Sequence, residues 1–309
     1  MICDASDDRT AKGARPGSVT VGVRRVGPLP TDNLDLFDVL LTGQPGAPRQ
    51  WVSAPDVDEA LEALRAAVRR QPVAALAAAQ VTRMTLKLSF DEALALESTA
   101  YSMLLATGGF RSWRMATPRR ERPEPDAPRV LVEAADDAIA IRLNRPIRRN
   151  AFDAAMRDAL CEALSFALEH PDAPPVVLSG EGPAFSAGGD LDEFGAAEDV
   201  GWAHLIRTVR SPAALAHLLG KRLTARLHGA CVGAGIEVPA AAGRVVARPG
   251  SFFRLPEVSM GLIPGAGGTA SIPRRIGRHR ACYMALSGAD IDLATALDWG
   301  LVDAVDDAP

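Results

Sequence analysis

Between residues 117 and 128 the chain reads TPRRERPEPDAP. Proline recurs at positions 118, 123, 125 and 128. Each proline removes a backbone donor and fixes φ, so no helix interior or central strand can run through this stretch. The stretch is also charged and lacks apolar periodicity, which reads as an extended linker. It divides the chain into two parts of different pattern. On the N-terminal side, residues 1–34 are expected as a flexible segment, with 1–16 disordered by composition. The segment DLFDVLLTG (35–43) is strand-like, and GQPGAPRQ (43–50) is a turn-rich loop. Three helical stretches follow. Val57, Leu61, Leu64 and Val68 recur at helical spacing, residues 72–87 are alanine-rich with Pro72 near their start, and Ser89 and Glu92 have capping-box spacing for a helix to about Leu105, ended by Gly108 and Gly109. On the C-terminal side, strand-like runs at 130–134, 138–143, 176–180, 222–229, 244–247 and 301–305 alternate with helical ones, among them 151–169 with its stripe of Phe152, Met156, Leu160, Leu164 and Leu168. That alternation predicts an α/β fold over 129–309.

Charge and cysteine usage remove several classes of function. The net charge of −4 and the scatter of arginine among acids leave no basic stripe for nucleic acid. Cys3, Cys161, Cys231 and Cys282 form no CxxC pair and no histidine-cysteine metal spacing. No metal or redox cofactor is expected, and the thiols read as those of a reduced, cytoplasmic protein. The N-terminus has no apolar signal-peptide core, and no apolar run approaches a membrane span.

Two glycine-rich corners stand out, GPAFSAGGDLDEF (182–194) and HGACVGAGIEVPAAAG (228–243). In the first, Ala187, Gly188, Gly189 and Asp190 follow an apolar strand end and lead toward a helix-like start. Either corner alone is compatible with an ordinary tight turn. Small residues also let a backbone approach a ligand, and free N–H groups there stabilise an anion. Neither stretch completes a nucleotide-phosphate fingerprint. Together they offer two N–H donors from separate corners, the composition of an oxyanion hole. A carboxylate is costly in an apolar setting unless something requires it. Glu237 follows the second corner, and Glu257 stands alone in FRLPEVSMGLIPGAGG (253–268). A strand between them, 244–253, can return both to one pocket, where paired carboxylates divide acid and base work. His228 and Ser186 lack a nucleophile–base partner and read as structural.

These residues are similar to a known family. FSAGGDLDEF, HGACVGAGIE and FFRLPEVSMGLIPGAGGTASIPRRIG, with LNRPIRRNAF (143–152) before them and SGADIDLATALDWGLVDAV (287–305) after, resemble the crotonase superfamily, and within it the enoyl-CoA hydratases, over roughly 129–306. The resemblance implies a crotonase-like spiral of ββα units. It implies that the N–H groups of Gly189 and Ala234 hold the thioester oxygen, with alanine at 234 where the family usually has glycine. It implies that Glu237 and Glu257 are the two catalytic glutamates. Arg149, Asn150 and Ala151, with Ala187, Gly188, Asp190, Leu191 and Gly265, are the substrate- and CoA-binding candidates. Arg254 stands where many hydratases have a small residue.

The expected activity is hydration of an enoyl-CoA thioester, with no cofactor beyond the CoA of the substrate. The alternatives are another crotonase reaction, such as double-bond isomerisation, or a non-catalytic acyl-CoA-binding subunit. Relatives continue past the GLVDAV strand into helices that build a trimer, whereas this chain carries a similar helical pattern at 35–116. The expectation is therefore a rearrangement like a circular permutation, with 117–128 as the new connection and a homotrimer or dimer of trimers as the assembly.

Overall fold

A computed structural model of the chain describes residues 2–4, 17–120, 123–135 and 137–306. The part before the linker opens with β1 (Ile2–Asp4), β2 (Val21–Arg24), β3 (Val39–Thr42) and β4 (Val52–Ser53), which form a parallel sheet in that order. Residues 17–34, read from sequence as flexible, thus hold a buried strand. Val19, Val21 and Val23 point into the core, a period-two pattern too short to register beside the glycines around it. Most of residues 1–16 lies outside the described residues. Asp38 is buried beside this sheet and is satisfied twice: the N–H of Thr20 donates to it at 2.8 Å, and Arg83 pairs with it at 2.6 Å.

The helices of this part are α1 (Val57–Arg70), α2 (Pro72–Thr85), α3 (Phe90–Leu105) and α4 (Gly108–Ala116). Their ends follow from local chemistry. Asp56 caps α1 by accepting from the N–H groups of Asp58 and Glu59, Pro72 occupies the first turn of α2, and Ser89 and Glu92 form the complete capping box of α3. Gly108 and Gly109 do not end α3. They open α4, which Thr107 caps through the N–H of Phe110.

After the linker come β5 (Val130–Ala134), β6 (Ile139–Leu143), α5 (Ala154–Glu169), β7 (Val176–Gly180), α6 (Val200–Val209), α7 (Pro212–Leu219), β8 (Leu223–Leu227), β9 (Ala230–Val232), α8 (Ala234–Glu237), β10 (Arg244–Ala247), β11 (Phe252–Arg254), α9 (Gly268–Ile276), α10 (Arg278–Ser287), β12 (Ile291–Asp292), α11 (Leu293–Trp299) and β13 (Ala304–Val305). Six strands form a sheet in the order β13-β10-β8-β7-β6-β5, and three form a smaller sheet in the order β12-β11-β9. Two strand pairs are split between the sheets. β8 and β10 lie side by side in the large sheet, and their continuations β9 and β11 lie side by side in the small one. In these two turns the chain lays one strand in each sheet, the repeat of a ββα spiral.

The linker is pinned rather than bare. The Arg119 guanidinium donates to the carbonyls of Asp192 and Phe194, and Glu124 accepts from Arg145 at 2.7 Å. One apolar core runs through both parts, from Leu61 and Ala78 to Ile141 and Ile272. Buried arginines clamp the parts together. Arg278 donates to the carbonyl of Phe37 at 2.9 Å, and Arg280 to that of Trp51 at 2.9 Å.

Candidate active site

The two corners meet because glycine lets them. Ser186 and Cys231 form a parallel bridge. Gly188 has φ +94, and a methyl on it would stand 2.7 Å from the carbonyl oxygen of Val232; a methyl on Gly235 would run into the carbonyl of Ser186. The Ser186 hydroxyl donates to the carbonyl of Asn150 at 2.7 Å and accepts from the N–H of Gly188 at 3.1 Å. It is a brace, in keeping with its structural reading. His228 likewise contacts the carbonyl of Gly182 at 2.9 Å.

This packing leaves two donors free. At the first corner the N–H of Phe152 donates to the carbonyl of Gly188, and that of Asp190 to the carbonyl of Phe152. The N–H of Gly189 lies between these bonds and is used by no described residue. Ala234 is the first residue of α8, and its N–H is equally unengaged among the described residues. Both residues border a cavity of about 630 Å³.

Glu237 and Glu257 reach the same cavity, 2% and 6% exposed. A methyl on Gly233 would run into Oε1 of Glu257 and stand 3.7 Å from Oε1 of Glu237, so the two oxygens flank one spot. Oε2 of Glu237 is committed, accepting from the N–H groups of Ala266 at 2.7 Å and Gly268 at 2.9 Å. Oε2 of Glu257 is buried with no partner among the described residues. Burial pushes the Glu237 carboxyl up to about 7, against the pull of those backbone donors. Burial, and then the charge of Glu237, raise the Glu257 carboxyl well above the usual range.

The wall of the cavity takes in Gly189, Asp190, Ala234, Glu237, Glu257 and Gly265 from the sequence candidates. Arg149, Asn150, Ala151, Ala187, Gly188 and Leu191 are not part of that wall. Asn150 is fully buried: its Oδ1 accepts from the N–H of Arg145 at 2.8 Å, and its Nδ2 donates to the carbonyls of Glu181, Ala184 and Phe185. Its side chain therefore holds the loop together, with Asn150 and Arg149 both in the left-handed region. The N–H of Ala187 donates to the carbonyl of Arg149, and Leu191 is 40% exposed. Asp190 is gripped by Arg145 at 2.8 Å and Arg148 at 3.1 Å, which fixes the corner that carries Gly189. Arg254 pairs with Asp290 at the surface and does not enter the cavity.

Sequence reasoning missed the contribution of α3. Glu97, Tyr101 and Leu94 line the cavity. Glu97 is 2% exposed and accepts from the N–H groups of Gly267 and Thr269 and from the Thr269 hydroxyl, each at 2.7 Å. Burial, and then the charge of Glu237, push its carboxyl up to about 8. Arg207 of α6 lies over the Tyr101 ring, 4.9 Å from its centroid, and donates to the Ser98 hydroxyl at 3.1 Å. The sequence showed α3 from its capping box to about Leu105, but nothing there separates Glu97 from a surface carboxylate.

Residues 133–308 match the enoyl-CoA hydratase/isomerase family model. The chain belongs to that family, within the crotonase superfamily. Among curated relatives, the 2,3-dehydroadipyl-CoA hydratase of Escherichia coli is 35% identical over 57% of this chain and 68% of its own length. A probable enoyl-CoA hydratase of Rhodobacter capsulatus is 37% identical over 58% and 69%. Among solved structures, an enoyl-CoA hydratase from Thermoplasma volcanium superposes with a TM-score of 0.54 at 33% identity, covering 59% of this chain and 73% of that one. The crotonase family region thus contains both corners, Glu237 and Glu257. Helices α1 to α4, and Glu97 with them, lie outside the matched residues. No helix among the described residues is long and apolar enough to cross a membrane.

Proposed function

We propose that this crotonase-family enzyme is an enoyl-CoA hydratase. The observation that carries the reading is that two neighbouring buried carboxylates line the same cavity as Gly189 and Ala234, whose N–H groups are unengaged among the described residues. The thioester oxygen accepts from those two donors, which stabilises the enolate-like charge that builds on it as C3 is attacked. Water sits between the carboxylates. Glu237 is the better base of the two, since backbone N–H groups hold its ionised form while Glu257 has an unpartnered oxygen and feels the charge of Glu237. Glu237 takes a proton from the water, the hydroxyl oxygen bonds to C3, and the proton of Glu257 passes to C2. The C2–C3 π bond is consumed and one water is added. The chain's own residues carry the whole cycle in this reading, with CoA supplied by the substrate.

The test is a panel of enoyl-CoA thioesters with product identification. A 3-hydroxyacyl product supports hydration, a migrated double bond supports isomerisation through Glu257, and binding without turnover supports a carrier subunit. The panel includes 2,3-dehydroadipyl-CoA, named for the E. coli relative, because Arg207 lines the cavity and forms no ion pair among the described residues. Glu257→Gln should keep CoA-thioester binding and lose turnover by about a hundred- to ten-thousand-fold. Near-normal hydration by the folded variant would remove Glu257 from the mechanism.

A further inference from the structure

Four consecutive backbone N–H groups, at Ala266, Gly267, Gly268 and Thr269, lead into α9. They are shared alternately between two carboxylates. Glu237 takes those of Ala266 and Gly268, and Glu97 takes those of Gly267 and Thr269. The glycines make this close grip possible: a methyl on Gly268 would stand 2.6 Å from Cγ of Glu237. Glu97 reaches the turn from α3, across the boundary between the two parts of the chain and outside the residues that match the family. Thr85 of α2 adds a second tie from the same side, its hydroxyl donating to the carbonyl of Thr269 at 2.6 Å.

We infer that Glu97 is a positioning residue of the active site, holding the 266–269 turn so that Glu237 presents Oε1 to the cavity and, when ionised, disfavouring loss of the proton from Glu257. The inference rests on the hydratase reading of the same cavity. Its geometric half follows from alternation. Without Glu97 the turn would hang on Glu237 and on the one Thr85 bond at its far end, leaving its middle free to shift and Glu237 to shift with it; the grip of Glu97 on the intervening N–H groups removes this freedom. Without Glu97, two buried N–H groups and a hydroxyl lose their acceptor. Its electrostatic half follows from surroundings. The ionisable groups within reach of Glu97 are Glu237, Glu257, Tyr101 and Arg207. On the alkaline side of its own raised value, an ionised Glu97 disfavours ionisation of Glu257 and so holds a proton on the group that must deliver one.

Glu97→Gln, Glu97→Asp and a control, Glu92→Gln, separate these effects. Glu92 lies on the same helix and accepts from the N–H of Ser89 at the exposed capping box. Its variant should unfold earlier but turn over normally per folded molecule. Glu97→Gln should lose kcat by about tenfold to a hundredfold, the scale of an ångström-sized misplacement, with little change in KM. The alkaline limb of its kcat profile, where Glu257 loses its proton, should move to lower pH. Glu97→Asp keeps the charge one methylene short, so it should lose kcat with the limb in place; wild-type kcat there would overturn the positioning role, and it serves alone if Glu97→Gln does not fold. A folded Glu97→Gln enzyme with parental kcat and limbs would overturn the inference outright. A readout free of turnover is the titration of the glutamate carboxyls followed by ¹³C NMR. The Glu257 midpoint should be lower in Glu97→Gln than in the parent chain, and identical midpoints would overturn the electrostatic role. If the parent chain hydrates no thioester on the panel, the hydratase reading fails by that result alone, and the NMR comparison still decides whether Glu97 acts on Glu257.

Discussion

At the scale of single residues, the site is built from groups that work against stability. Glu97, Glu237 and Glu257 are all buried, and each carboxyl is raised above its ordinary value, chiefly by burial. Such a group binds its proton more tightly in the folded chain than in the unfolded one. The unfolded chain therefore gives up protons first as pH rises above the ordinary carboxylate value near 4.5. Stability is full below that pH and is lost progressively as pH climbs through the raised values, about 7 for Glu237 and about 8 for Glu97. Glu257→Gln removes one ionisable group from the cluster. It should melt above the parent at pH 9 by roughly 2–4 °C for each kcal/mol relieved, and the difference should vanish near pH 4; a variant that melts below the parent at pH 9 would contradict the raised carboxyl. Two of the three carboxylates were legible in sequence because Glu237 and Glu257 interrupt apolar, glycine-rich runs. Glu97 was not. Asp91 and Glu92 share its helix and face solvent, so only the packing of α3 onto α9 tells them apart.

At the scale of elements, catalysis in this reading depends on two loops lying closer than most side chains allow. The corner at 186–190 rests on the β9–α8 corner through the Ser186–Cys231 bridge, with the carbonyl of Val232 against Gly188. Gly188→Ala places a methyl 2.7 Å from that carbonyl at a φ of +94. Strain of this kind costs about 1–3 kcal/mol, and its relief requires the corners to separate. The expected result is a lowered melting temperature and a fall in kcat larger than any rise in KM, because the donors at Gly189 and Ala234 no longer match the oxyanion. Unchanged kinetics in a destabilised variant would place the oxyanion donors elsewhere. The corners were readable because their glycines are dense. The helices were readable because Ser89 and Pro72 announce two of their starts and Val57, Leu61, Leu64 and Val68 recur at helical spacing along a third. Of the parallel sheet of β1 to β4 only β3 was readable, within the strand-like 35–43, because the sheet's strands are two to four residues long and the identity of their partners depends on tertiary packing. Asn150 was legible as a loop residue but not as the hub of that loop, since its role lies in carbonyls more than thirty residues away.

At the scale of the whole molecule, the linker joins parts that share one core. The shared core, the Arg278 and Arg280 clamps and the Glu97 grip all cross from residues 17–116 to the family region. We read α1 to α4 as the counterpart of the helices that close the chains of relatives, moved to the front of this one, with a homotrimer or a dimer of trimers as the assembly. On that proposal the connection matters less than the contacts. Deleting residues 1–116 should uncover the apolar faces of α9 and α10, strip the acceptor from Gly267 and Thr269, and abolish both activity and assembly. Producing 1–116 and 117–309 as separate chains in one cell should restore both, because the core of both parts is rebuilt without the covalent link. Co-purification of the two pieces, followed by thioester turnover and light scattering, checks this. A soluble, fully active monomer from 117–309 alone would refute it, and the N-terminal part would then be a separate unit whose contact with the site is dispensable.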